Sequence, residues 1–316
     1  MLTSSEAKLN LARARQQRLQ ADLILLTVAL IWGSAFVVQR LAAAQVGVYT
    51  FNGARFLLAA LALTPLARLR LFHVSGAAGL HRRTLPGAIL AGCILAAGAG
   101  FQQAGLKITT AGNAGFITGL YVVWIPIFMS VFWRQKIRPT IWIAALMSAG
   151  GLYLLSASGP LRLNRGDALE LVGAVFWALH VIVTDRMVKR MHVAHFVIAQ
   201  YAVCALINLV IGAWLEPGVL PQILANGWMI AYAGLLSVGV GYTLQAVGQR
   251  VAPPADAAII LSMEAVFAAT AGWFFLGETL TPLQMLGCAI MLGGMLLSQS
   301  ALWNERSLAN ERQDAT

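Results

Sequence analysis

Residues 253–279 read PPADAAIILSMEAVFAATAGWFFLGET, an apolar, small-residue run long enough to cross a bilayer, with one carboxylate, Glu264, set inside it. From Ala255 to Gly277 the ionisable groups are Asp256 at the entry and Glu264. At about 1.5 Å of rise per residue, Glu264 stands roughly 13 Å along a helix from that entry, near the middle of a hydrocarbon core about 30 Å thick. Carboxylates at such depth face a bundle interior or a water-filled path. The stretch therefore predicts a membrane protein with a polar interior.

The rest of the 316 residues agrees. Hydrophobic residues make up 59% and charged residues only 11%, too few solvating groups to cover a water-soluble fold. The net charge of +10 does not point to nucleic acid, because the basic residues fall between apolar runs rather than on one face, which is the pattern of membrane orientation. Cys93, Cys204 and Cys288 each lie inside an apolar run, where thiols behave as small hydrophobes, and no disulfide framework is implied. Met1–Gln20 carries Lys8, Arg13, Arg15 and Arg18 ahead of a full-length apolar span with no small-residue cleavage pattern. It reads as a cytoplasmic arm, not a removed leader.

Apolar windows of about 20 residues give ten spans, at 22–39, 47–67, 85–106, 110–133, 140–157, 167–186, 194–215, 226–247, 255–277 and 281–303. With the N-terminus inside, 17 of the 22 Lys and Arg residues fall on the cytoplasmic side. Arg40, Lys107, Arg162 and Arg165 fall outside, and Arg55 lies within a span. The bias predicts an all-α polytopic protein with both termini in the cytoplasm.

The chain also resembles itself. Ala29–Trp32 matches Ala174–Trp177, and Phe51, Ala54, Phe56, Ala60 and Leu61 face Phe196, Ala199, Tyr201, Ala205 and Leu206, all at a spacing of 145. Gly98-Ala-Gly100-Phe101 matches Gly239-Val-Gly241-Tyr242, and Gly150–Gly151 matches Gly293–Gly294. Five spans is an odd number, so the second copy enters the membrane from the opposite side. The expected organisation is an arm (1–20), a first five-helix repeat (21–157), a periplasmic linker (158–166), a second, inverted five-helix repeat (167–303) and a cytoplasmic tail (304–316). Inverted duplications suit secondary transporters, whose site lies near the midplane between the halves.

Glu264-Ala-Val-Phe-Ala-Ala, followed by Gly272-Trp-Phe-Phe-Leu-Gly-Glu278-Thr-Leu-Thr, resembles the penultimate-helix signature of the drug/metabolite transporter superfamily, EamA-like branch. Ile31-Trp32-Gly33-Ser34-Ala35-Phe36 and Ala54-Arg55-Phe56-Leu57-Leu58-Ala59-Ala60 are similar to that family's first two helices, and the resemblance runs from about Leu23 to Ser298. The chain departs from it at Ala265, where the family commonly has proline. In the first repeat, Tyr121 takes the place of Glu264 and Arg134-Gln-Lys136 replaces the Gly-Glu ending. The resemblance implies a bacterial inner-membrane carrier, often an exporter of amino acids or other small metabolites.

Arg55 is the expected partner of Glu264, since counting from the opposite membrane face places it roughly 12 Å deep. It suits bidentate binding of a solute carboxylate, with Glu264 taking an amine or a coupling proton; a structural ion pair between the two, or an anchor from helix to backbone, is the other reading. Gln200, the repeat counterpart of Arg55, keeps hydrogen-bonding capacity without charge, for a solute or for a neighbouring helix. His180, one turn after Trp177, is a candidate proton carrier or a packing residue. Trp32, Tyr121, Trp177 and Tyr242 complete the candidate lining.

Enzyme chemistry finds no support: the chain has no His-Glu-x-x-His, no Gly-x-Ser-x-Gly and no phosphate-binding Gly-x-x-x-x-Gly-Lys-Ser/Thr. It calls for no cofactor or metal, and energy must come from gradients or exchange. The leading expectation is a secondary transporter, an exporter or facilitator, that moves a small organic metabolite such as an amino acid by alternating access. A multidrug or cationic-compound exporter and a non-transporting scaffold or channel-like protein are the alternatives. The expected partners are the small-molecule substrate and the lipid bilayer.

Overall fold

The computed structural model describes residues 4–66, 81–109, 111–156, 164–276 and 280–314. These form helices, with no strand among the described residues, as lipid demands when each peptide group must be satisfied within its own segment. The order is α1 (Ser4–Gln45), α2 (Val48–Leu66), α3 (Leu85–Leu106), α4 (Ala111–Gly119), α5 (Tyr121–Trp133), α6 (Pro139–Ser156), α7 (Arg165–Val188) and α8 (Val193–Leu215). Then come α9 (Leu220–Ala225), α10 (Gly227–Ala231), a π-helical stretch (Tyr232–Tyr242), α11 (Thr243–Gly248), α12 (Pro254–Leu261), α13 (Glu264–Leu276) and α14 (Pro282–Asp314).

Eight helical segments among the described residues are long and apolar enough to cross a membrane. The other two expected spans fall on α2, 19 residues with Arg55 inside, and on α12 with α13. The structure adds detail to three of the expected elements. The expected arm is helical from Ser4 and runs without a boundary into the first span. The expected spans 110–133 and 255–277 are each two helices, parted at Leu120 and at Ser262–Met263. The span 226–247 is π-helical through its middle. Residues 158–163 of the expected linker and the Gly277–Thr279 ending lie outside the described residues.

Helix ends are satisfied by side chains from elsewhere as well as by local caps. Asn164 and Asp167 form a capping box at the start of α7, which satisfies two otherwise orphaned N–H groups. The start of α2 has no acid of its own; Glu216, just past α8, accepts from the backbone N–H of Tyr49 (3.2 Å) and Thr50 (2.9 Å) and from Thr50 Oγ1 (2.8 Å). Arg40 of α1 donates to the carbonyls of Leu106, the last residue of α3, and of Thr109 just past it. At another edge, Arg18 pairs with Asp22 (2.8 Å) and Asp256 (3.9 Å), Arg138 reaches Asp256 (3.3 Å), and Arg18 also meets Gln299 (3.3 Å). α5 stops at Arg134, whose φ of 51° is left-handed, the ordinary place for a helix-ending glycine.

Packing follows the sequence correspondences. α2 lies on α8 and α6 on α14, each helix against its repeat counterpart, while α1 packs on α12 and α13 as α7 packs on α4 and α5. Small residues allow close approach, as in membrane bundles generally. A Cβ at Gly151 would stand 2.6 Å from the Gly287 carbonyl oxygen, and one at Gly287 would stand 2.6 Å from that of Gly151, so α6 and α14 touch backbone to backbone. Gly150, next door, is exposed and has nothing within 4 Å of its added Cβ. The pair gives a clean test. Gly151→Ala lowers the melting temperature of the purified protein by several degrees, because a crowded core site costs about 1–3 kcal/mol. Gly150→Ala does not lower it, since alanine favours a helix by about 0.5–1 kcal/mol. Equal loss in both variants would contradict this packing.

Candidate functional site

Both helix breaks fall at equivalent points of the two repeats, and each places its next residue at the same spot. Tyr121 opens α5 and Glu264 opens α13, and the Tyr121 hydroxyl lies 3.5 Å from Glu264 Oε1. No proline causes the second break. Ser262 Oγ instead bonds the Ile259 carbonyl (2.8 Å), and Met263 N–H turns to Ile260, a local competition that serine offers the helix. The Glu264 carbonyl and the Ala268 N–H come so close to α1 that a Cβ at Gly33 would stand 2.7 and 2.9 Å from them. Gly33 thus seats the carboxylate-bearing half-helix against α1.

Glu264 and Tyr121 line a cavity with about 510 Å3 of atom-free space, open solvent included. Around it stand Trp32, Phe36 and Gln39 of α1, Arg55 of α2, Gln102, Thr118, Trp177, His180, Val181, Ser237, Tyr242, Gln245 and Leu261. Seven of the eight expected residues are among them. Gln200 is not: it is fully buried behind His180, with its Oε1 2.9 Å from His180 Nε2. It meets the imidazole and stands outside the lining.

Tyr242 is the hub of the aromatic wall. Its ring lies 4.6 Å from Trp32, 6.0 Å from Trp177 in a stacked arrangement and 5.8 Å from His180 edge-on. The π-helical stretch shapes this wall. Widened turns release carbonyls from the i−4 ladder, and two are taken by side chains: Trp32 Nε1 donates to Ser237 (3.1 Å) and the Tyr201 hydroxyl to Val238 (3.2 Å).

The charges stay apart. Arg55 is buried, with its guanidinium 5.2 Å from the Phe51 ring and 5.1 Å from the Phe56 ring, and Nη1 donates to Gln39 Oε1 at 2.8 Å. Its Nε has no hydrogen-bond partner. No ion pair within 4.0 Å joins Arg55 to Glu264, so the structural-pair reading does not hold in this state. Trp177 Nε1, His180 Nδ1 and Gln245 Oε1 also lack partners in the protein. Buried polar atoms are ordinarily satisfied, yet several residues that line this cavity carry donors or acceptors for which the protein supplies no partner.

Among the residues that escaped the sequence reading, two stand out. Gln39, the side-chain anchor of Arg55, follows Trp32 and Phe36 at helical spacing, and that periodicity was the available signal. Glu170 of α7 is fully buried and accepts from Thr118 Oγ1 at 2.9 Å. It sits near a helix start, where an acid is unremarkable, so nothing in the sequence singles it out.

The comparisons agree with this architecture. The EamA-like transporter family matches residues 19–157 and 164–299. An uncharacterized transporter of Archaeoglobus fulgidus is 29% identical over 287 residues, covering 89% of this chain and 86% of that one. The threonine/homoserine exporter RhtA of Escherichia coli K12 is 27% identical over 190 residues, 58% of this chain and 62% of its own. A crystal structure 16% identical superposes with a TM-score of 0.73 over 88% of this chain and 96% of its own, a likeness of fold.

The Gln39–Arg55 bond makes a measurable claim. Gln39→Leu leaves a buried guanidinium nitrogen without its acceptor, which costs about 1–3 kcal/mol and lowers the melting temperature. In Arg55→Met the further change Gln39→Leu costs less, because the partner is gone. Additive losses in the double variant would show that the bond contributes nothing.

Proposed function

The chain belongs to the EamA-like transporter family, and we propose that it is a secondary transporter, acting as an exporter, of a small zwitterionic metabolite of the amino-acid class. One observation carries the reading. Arg55 and Glu264 line the same cavity without pairing with each other. A solute with a carboxylate and an ammonium group supplies both missing partners, the carboxylate to Arg55 as a charge-assisted contact and the ammonium to Glu264. The unpaired N–H of Trp177 and the Tyr242 face add orientation and apolar contact.

The same reading sets the organisation. Two five-helix halves, 21–157 and 167–303, flank the site in inverted orientation, joined by a periplasmic linker, with the arm and tail in the cytoplasm of a bacterial inner membrane. Its supports are the odd number of spans per repeat, the basic residues gathered on one side and the matched contacts of α1 with α12–α13 and α7 with α4–α5. Alternating access then exposes the chamber on each side in turn. The relative named as a threonine/homoserine exporter suggests L-threonine as the first probe.

The aromatic wall around Tyr242 favours a second reading, export of an organic cation held by ring faces and Glu264, with Arg55 structural. Counterflow in proteoliposomes separates the two. The expected result is exchange of labelled against unlabelled L-threonine. Glu264→Gln and Arg55→Gln should each slow it at least tenfold, since a charge-assisted contact contributes about 1.5–3 kcal/mol and 1.4 kcal/mol is a factor of ten. Wild-type exchange in both variants sinks the zwitterion reading. Efflux of lipophilic cations lost in Glu264→Gln but kept in Arg55→Gln establishes the second.

A further inference from the structure

Glu170 has no task in that scheme, yet its setting is specific. It is fully buried in α7, with Oε2 bonded by Thr118 Oγ1 and Oε1 without any partner. Among the described residues no cationic nitrogen lies within 4.0 Å of it. A buried carboxylate with no compensating charge is heavily disfavoured, so something must neutralise it. A metal ion does not fit: a Cβ at Gly105 would stand 2.7 Å from Oε1 and 2.8 Å from Cγ, so the side chain lies against bare α3 backbone. A proton needs no such space.

The surroundings leave that proton exchangeable rather than trapped. Thr118 Oγ1 donates to Glu170 and accepts from Gln102 Nε2 at 3.3 Å, and both Thr118 and Gln102 line the cavity. A hydroxyl has one proton and two lone pairs. It can therefore donate to a carboxylate or turn to accept from a carboxylic acid while keeping Gln102. Asp167 is the charged group that acts on Glu170, from one turn earlier on its own helix, and it is engaged by Thr109 and the Asn164 N–H. Of the elements packed on α7, α4 carries no titratable residue, and α3 is followed only by the exposed Lys107 at this end. Tyr121 of α5 is turned to Glu264, and Asp256 of α12 to Arg18 and Arg138. Arg40 of α1 is held by the carbonyls of Leu106 and Thr109.

We propose that Glu170 is a proton-exchanging site of the transport cycle, separate from the solute chamber and linked to it through Thr118 and Gln102. Its part in the cycle rests on the transporter reading; proton exchange at Glu170 does not. Infrared difference spectra of the full-length protein in lipid nanodiscs across a pH series test the site directly. The expected result is a titrating protonated-carboxyl band that is lost in Glu170→Gln and kept in Glu264→Gln. Thr118→Val should displace its midpoint by about half a pH unit or more, as loss of a hydrogen bond does. Glu170→Asp, the second variant should the glutamine form fail to fold, keeps a band at a displaced midpoint. Spectra of Glu170→Gln that match wild type across the series overturn the site, as do Glu170→Asp spectra with an unmoved band. In proteoliposomes, Glu170→Gln should lower L-threonine accumulation driven by an imposed pH gradient at least tenfold, and accumulation at the wild-type rate overturns the role in the cycle. Wild-type protein that moves no threonine speaks against the solute assignment, whereas the infrared result still decides Glu170.

Discussion

Lipid offers no hydrogen bonds, so a helix can be interrupted at membrane depth only where protein or a water-filled cavity takes up the freed backbone groups. The structure depends on that constraint at Leu120 and at Ser262–Met263. Each break ends a helix inside the bundle and starts another, whose first residue, Tyr121 or Glu264, stands at the cavity. The positive end of a helix dipole accompanies each start, which helps a carboxylate there to stay in place. Gly33 and Ala268 then fix the second start against α1 by contact too close for any side chain. Backbone geometry, more than any single polar contact, puts the carboxylate where it is.

Arg55 shows the complementary solution. A guanidinium at this depth is held by phenyl faces and one amide oxygen rather than by a carboxylate. Burying a pair of charges against each other would recover much of their desolvation cost but close the site. Here the two stay apart, and Gln39, whose main-chain carbonyl accepts from Gln103 Nε2 at 3.0 Å, supplies the guanidinium with its acceptor. Gln200 does for His180 what Gln39 does for Arg55.

The helical membrane architecture was legible in the sequence because apolar runs and basic loops obey coarse rules. So was most of the lining: Trp32, Arg55, Tyr121, Trp177, His180, Tyr242 and Glu264 all reach one cavity. What escaped depends on geometry finer than hydropathy. Ala265 stands where the family commonly has proline, yet Ser262 and close packing on Gly33 accompany a helix break there without one. The π-helical stretch leaves no trace in composition, and the bonds that Trp32 and Tyr201 make to its Ser237 and Val238 carbonyls join residues far apart in the chain. Gln200 and Arg55 sit at equivalent sequence positions, but equivalence fixes depth, not the azimuth that decides which side chain meets the cavity.

Glu216 bears on how such a bundle deforms. Because the first turn of α2 is terminated by a carboxylate belonging to α8, sliding one past the other would strip peptide donors of their acceptor. The two helices are thereby coupled into one strut. The ladder is irregular instead in residues 232–242 and at the paired discontinuities, the same places that supply Ser237, Tyr242, Tyr121 and Glu264 to the chamber wall.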